Sequence, residues 1–90
     1  MQKNLKIRVY GTVQGVGFRF FARDIATKLE LTGFVRNEPD GSVYAEAEGE
    51  EVALQKFLDW CRKGPPFAKL EKIDSDFSAA SKRYKDFTIR

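Results

Sequence analysis

The hydrophobic pattern of this 90-residue chain changes period several times, and the order of those changes is what most restricts its fold. Near the N-terminus Leu5, Ile7 and Val9 alternate with polar residues, a period of two that is typical of a strand with one buried face. From Phe21 to Leu29 apolar residues recur every four positions, which predicts an amphipathic helix. The chain therefore begins with a strand and a helix.

The middle of the chain has the pattern of a β-hairpin. Gly33 occupies a usual stop position for the first helix, and residues 34–37 read as a short strand. Proline followed by Asp-Gly within residues 38–41 is a turn signal, and residues 42–48 alternate again. We expect these two strands to pair with each other.

The last third of the chain predicts a helix and two more strands. An apolar stripe with helical spacing runs through residues 50–63, and Gly-Pro-Pro at 64–66 ends that helix. Apolar residues between 70 and 77 indicate a strand whose phase slips, as it does at a bulge. The polar segment 78–85 is expected to be a loop, and residues 87–90 a short final strand.

The resulting order, β-α-β-β-α-β with a short terminal strand, predicts an α+β fold of the ferredoxin-like type. In this two-layer sandwich both helices pack on one face of a mostly antiparallel sheet. The length suits one core, so we expect residues 1–90 to form a single domain.

Composition excludes several chemistries. The chain has no histidine and a single cysteine, Cys61, so it cannot form a histidine-based nucleophile pair, a zinc site of imidazole or thiolate ligands, or a disulfide framework. We expect Cys61 to be a buried hydrophobe. The N-terminus has no apolar signal-peptide core and no apolar run reaches membrane-spanning length, so we expect a cytoplasmic protein. The lack of histidine and of a second cysteine predicts a protein without a metal, and we expect no other cofactor.

A glycine-containing loop joins the first strand to the first helix and has the composition of an anion site. Backbone N–H groups from Gly15, Val16, Gly17 and Phe18 could cradle an anion at the helix N-terminus, and Arg19 could fold over it. Loop composition alone still favours a plain connection, because glycine-rich turns are frequent.

Asn37 and two glutamates are the other polar candidates. The amide of Asn37 could hold a water molecule, although a turn-initiating role is a plausible alternative. Glu46 and Glu48 share one strand face, and we expect that face to be solvated rather than catalytic. Seven aromatic residues are expected to fill the core: Phe18, Phe20, Phe21, Phe34, Phe57, Trp60 and Phe77.

Together these segments resemble the acylphosphatase family. Residues 11–19, Gly-Thr-Val-Gln-Gly-Val-Gly-Phe-Arg, are similar to the family's first signature. Residues 33–37 with 40–43 resemble the second, and residues 64–66 and 87–90 resemble later segments. The resemblance covers essentially the whole chain in order, and it implies the ferredoxin-like fold.

The resemblance also implies an activity and two catalytic residues. Arg19 corresponds to the arginine that binds the substrate phosphate, and Asn37 to the asparagine that positions the attacking water. The amides from Gly15 to Phe18 would complete the phosphate site. The implied reaction hydrolyses a small acyl phosphate to a carboxylate and inorganic phosphate. We expect a monomer that needs neither metal nor other cofactor and has no nucleic-acid or membrane partner.

Three alternatives stay open at this stage. An RNA-binding module of the RRM type shares the element order, but it needs stacking aromatics on its central strands, where Tyr44 lies among acidic residues. Acylphosphatase-like domains also occur within larger carbamoyl-transferring maturation proteins. A binding or regulatory protein could keep this fold without turnover.

Overall fold

The computed structural model describes all residues from 1 to 90 and contains five strands and two helices. In chain order they are β1 (Gln2–Thr12), α1 (Phe18–Lys28), β2 (Thr32–Asn37), β3 (Val43–Glu50), α2 (Glu51–Lys63), β4 (Lys69–Ala79) and β5 (Phe87–Ile89). This order confirms the sequence prediction. Neither helix has the length and apolar character needed to cross a membrane.

The five strands form one mixed sheet in the order β4-β1-β3-β2-β5. β1 pairs antiparallel with both β3 and β4, and β2 pairs antiparallel with β3. Only the pairing between β2 and β5 is parallel. The register between β1 and β4 shifts at Tyr10/Gly11, which confirms the irregularity inferred from the phase slip. The predicted ferredoxin-like sandwich is thus confirmed.

The core lies between the sheet and the two helices. Leu5, Ile7 and Val9 on β1 are buried there, and so are Leu54 and Phe57 on α2. Cys61 also belongs to this core, and burial raises the pKa of its thiol.

The inward face of α1 differs from the predicted one. The helix begins two residues earlier than Phe20 and buries Phe18, Ala22 and Ala26, whereas Phe21 is 41% exposed. Small alanines let the helix approach the sheet closely. Of the seven aromatics expected in the core, Phe18, Phe34 and Phe57 are buried and Trp60 is half-buried, but Phe20, Phe21 and Phe77 are exposed.

Gly33 does not end the first helix, so that prediction was wrong. The helix ends at Lys28, and Glu30 takes the positive φ of 60° in the following turn. Gly33 lies inside β2 with φ 139°, and a Cβ there would overlap the carbonyl oxygen of Glu46 on the neighbouring strand. Glycine is needed here for close strand approach as well as for backbone conformation.

Glu48 is not on a solvated face, contrary to the sequence prediction. It is 3% exposed because the segment after β4 folds over it. The Ser81 N–H and hydroxyl (both 2.7 Å), the Lys82 N–H (2.8 Å) and the Asn4 side-chain amide (2.7 Å) all donate to its carboxylate. Burial by itself raises the pKa of Glu48, but these donors outweigh it and lower the pKa from 4.5 to about 2.

Glu46 is the second buried carboxylate, at 4% exposed. Asn4 donates to it at 2.9 Å and Arg83 at 3.0 Å. Burial by itself raises the pKa of Glu46, but the bonds from Asn4 and Tyr84 and the charge of Arg83 outweigh it, so the net shift of the pKa is downward. The two glutamates therefore anchor the connection between β4 and β5, and most of segment 78–85 is a loop as predicted.

The steric requirement at Gly33 is tested with two alanine variants. Both Gly33 and Gly41 have positive φ, but a Cβ at Gly41 would meet no atom within 4 Å. We expect Gly41→Ala to lower the free energy of unfolding by about 1 kcal/mol and Gly33→Ala by about 3 kcal/mol or more. Urea unfolding measures both, and equal losses would contradict the close strand approach.

The Glu48 anchor predicts a particular acid dependence of stability. Since the folded pKa is lowered, its contribution is present above pH 4.5 and disappears as the pH falls toward 2. Glu48→Gln should be less stable than the parent at pH 7, and the difference should shrink between pH 4.5 and 2.

The control for this measurement is Glu71→Gln, which changes an exposed glutamate on β4 that has no side-chain hydrogen bond. Its denaturant midpoints should follow those of the parent at each pH. If the loss of stability in Glu48→Gln relative to the parent stayed constant across the acid range, the ionised carboxylate could not be the source of that stability.

Candidate active site

The loop between β1 and α1 presents backbone N–H groups that have no acceptor in the protein. Gly15 (φ 76°) and Gly17 (φ 81°) are both left-handed, a conformation that glycine adopts without strain. None of the six amides from Gly15 to Phe20 donates a hydrogen bond to a backbone or side-chain group. Successive N–H groups in such a turn form a concave site for an anion.

The N-terminus of α1 adds positive potential to this loop. The helix begins at Phe18, directly after Gly17, and no side chain caps it. Its first turn also has no acidic residue. The positive end of the helix dipole is therefore left uncompensated beside the unbonded amides, which favours a negatively charged group.

A cavity of about 200 Å³ lies against the loop. Its lining consists of Val13, Gly15, Gly17, Phe18, Arg19, Phe20, Asn37 and Ile89. The predicted residues Gly15, Gly17, Phe18, Arg19 and Asn37 therefore meet at one cavity. Val16 does not line the cavity, because its side chain packs against the core. Its backbone amide is nevertheless one of the unbonded N–H groups of the loop.

Arg19 and Asn37 both have unused hydrogen-bonding capacity. Each is half-buried, and neither side chain makes a hydrogen bond or an ion pair within the protein. A guanidinium offers several donors in a fixed plane, and a carboxamide offers both donors and an acceptor. These two groups can thus bind a ligand without first breaking an internal contact.

The side chain of Gln14 ties the loop to the β2–β3 turn. Its Nε2 donates to the carbonyl oxygens of Glu38 (2.8 Å) and Ser42 (2.9 Å). Glu38 directly follows Asn37, so these bonds hold the end of β2 beside the loop. This contact was missed by the sequence analysis, because it joins residues 24 and 28 positions apart.

Short polar contacts hold the β2–β3 turn itself. The Glu38 N–H donates to the Ser42 carbonyl at 2.8 Å, and the Ser42 N–H donates to the Asp40 carboxylate at 2.9 Å. The bond from the Ser42 hydroxyl lowers the pKa of Asp40. Arg8 and Arg36 contact the Glu38 carboxylate at 3.3 and 3.4 Å. The backbone that carries Asn37 is thus well supported.

The donor set of the cavity suits an anion. Its polar groups are backbone N–H groups, one guanidinium and one carboxamide, and no carboxylate, thiolate or imidazole lines it. No cluster of three or more His, Cys, Asp or Glu side chains that could hold a metal ion is present in the chain. A tetrahedral anion with several oxygens would match these donors.

Comparison with known proteins identifies the family of the chain. The sequence model of the acylphosphatase family matches residues 5–89. An acylphosphatase from Thermotoga petrophila is 49% identical over 88 residues, which cover 98% of this chain and 97% of the relative.

Two solved structures show the same similarity at the level of the fold. An acylphosphatase from Bacillus subtilis superimposes with a TM-score of 0.94 at 41% identity, over 98% of each chain. A full-length HypF in the phosphate- and nucleotide-bound form matches all of this chain with a TM-score of 0.87 at 33% identity, over 12% of that protein. This chain belongs to the acylphosphatase family.

Proposed function

We propose that this acyl phosphate hydrolase acts through a phosphate cradle built from Arg19 and the amides of its first loop. Family membership supports the reaction class, in which the carboxyl–phosphate bond of a small acyl phosphate is hydrolysed. The observation that carries the residue assignment is that Arg19, Asn37 and the unbonded loop amides adjoin one cavity.

The phosphate of the substrate binds in the loop. Amides of Gly15, Val16, Gly17 and Phe18 donate to its oxygens, and the Arg19 guanidinium contacts two of them as a fork. Phosphoryl transfer depends mainly on positioning and on stabilising charge over the equatorial oxygens. Preorganised amides supply this stabilisation without rearrangement during the reaction.

Asn37 holds the attacking water in line with the bond that breaks. A carboxamide is not basic enough to deprotonate water, so a phosphate oxygen of the substrate accepts the proton. The water oxygen forms the new bond to phosphorus as the bond to the acyl oxygen breaks. The acyl group leaves as a carboxylate, whose conjugate acid has a pKa of roughly 4, so no general acid is needed.

The RNA-binding alternative is disfavoured by the open face of the sheet. Phe34 on β2 is 4% exposed, and the guanidiniums of Arg36 and Arg90 lie 5.3 and 4.1 Å from the centre of its ring. Arg8 and Arg36 are each 5.1 Å from the ring centre of Tyr44. Phe34 thus exposes almost no surface on which a base could stack, and guanidiniums already lie next to both rings.

We further propose that residues 1–90 act as one domain, as a monomer and in the cytoplasm. The proposed reaction uses only the substrate, water and groups of the protein. It therefore requires no cofactor and no nucleic-acid or membrane partner.

Two alanine variants separate binding from water positioning, with benzoyl phosphate as substrate and chelator present. Arg19→Ala should lower kcat/KM by about 10³-fold or more and weaken inhibition by inorganic phosphate, since the guanidinium contacts the phosphate group of the substrate and also free phosphate. Asn37→Ala should lower kcat by about 10²-fold or more while the inhibition constant for phosphate changes little.

The matched control is Arg62→Ala, which removes an exposed arginine on α2 that makes no ion pair. It should retain parental kcat and phosphate inhibition. Full turnover by Asn37→Ala would refute the water-positioning role, and unchanged phosphate inhibition in Arg19→Ala would refute the cradle.

A further inference from the structure

We propose that Phe20, assisted by Ile89, forms a binding wall for the acyl part of the substrate and makes the enzyme selective for aromatic acyl phosphates over acetyl phosphate. This inference rests on the proposed function, because it assigns the part of the cavity that the phosphate does not use. It names Phe20 as a specificity-determining residue.

The cavity has two chemically different sides. Arg19, Asn37 and the loop amides supply its polar side. The remaining lining is apolar, but Val13 and Phe18 are 1% and 3% exposed and offer almost no surface to a ligand. Phe20 is 57% exposed and Ile89 is half-buried, so these two residues provide the accessible apolar surface.

Phe20 is held in place although it is exposed. Its ring meets that of Phe21 edge-on, with centroids 5.6 Å apart and an interplanar angle of 81°. The Arg23 guanidinium lies 5.5 Å from the centre of the Phe20 ring. These contacts restrict the ring at the start of α1, next to Arg19, so little order has to be imposed when a ligand packs against it.

Ile89 reaches the cavity because β5 adds to the sheet beside β2. Phe87 is buried in the core, and Ile89 pairs with Val35, two residues before Asn37. The strand thus brings an aliphatic side chain to the same cavity as Asn37 and Phe20.

The substrate has the same division into a polar and an apolar part. One bridging oxygen joins a charged phosphate to an acyl group, so a phosphate bound in the loop leaves the acyl group a few bonds away in the same cavity. A phenyl group can pack against the Phe20 ring and remove apolar surface of both from water. The single methyl of an acetyl group covers much less of that ring.

The test compares benzoyl phosphate with acetyl phosphate in the parent, in Phe20→Ala and in Phe20→Leu. The ratio of kcat/KM for benzoyl phosphate to that for acetyl phosphate should fall roughly three- to tenfold in Phe20→Ala, the factor that one aromatic contact supplies. The ratio in Phe20→Leu should lie between those of the parent and of Phe20→Ala, since leucine keeps apolar surface but has no ring. Phosphate inhibition should remain parental in both variants.

Phe67→Ala is the matched control, because Phe67 is 81% exposed and does not line the cavity. It should leave both substrates unaffected. An unchanged substrate ratio in Phe20→Ala would overturn the inference while leaving the proposed function intact. A lower ratio accompanied by weaker phosphate inhibition in Phe20→Ala would also overturn the inference, again with the proposed function intact. Failure of the parent protein to hydrolyse either substrate would overturn the proposed function and this inference with it.

Discussion

Six successive backbone N–H groups without an acceptor are the constraint on which this site depends. The left-handed glycines at positions 15 and 17 shape the loop, and the amides of residues 18–20 belong to the first turn of α1, where N–H groups have no acceptor within the helix. Their dipoles add to that of α1 and to the charge of Arg19. A chain without histidine can thereby concentrate positive potential by using its backbone, which is suited to a substrate whose leaving group departs unaided.

The sheet supplies the rest of the site through contacts between distant residues. Gln14 joins the loop to the β2–β3 turn and so brings Asn37 to the cavity. On the other face, Glu46 and Glu48 hold the segment that leads into β5, and β5 carries Ile89 to the cavity. The buried glutamates are thus linked to the site by the strand that they help to anchor, although they lie outside it.

Hydrophobic period predicted the element order and the fold class, because periods of two and four are local properties of strands and helices. Glu46 and Glu48 were misjudged because alternation shows which residues share a face but not whether a later loop covers it. Gly33 was misread since helix ends and close strand contacts both favour glycine. Arg19 and Asn37 were candidates from loop composition and side-chain chemistry, and the family resemblance gave them their catalytic roles. The Gln14 bridge and the exposure of Phe20 depend on packing between elements, which no local pattern records.

The most direct test of the anion cradle is a titration of the ¹⁵N-labelled protein with inorganic phosphate, followed by NMR of the backbone amides and of the arginine Nε groups. A phosphate cradle at this loop predicts saturable shifts that are largest at the amides from Gly15 to Phe18 and at Arg19 Nε, with smaller changes elsewhere. Saturable shifts centred on another surface, with these amides unmoved, would contradict it.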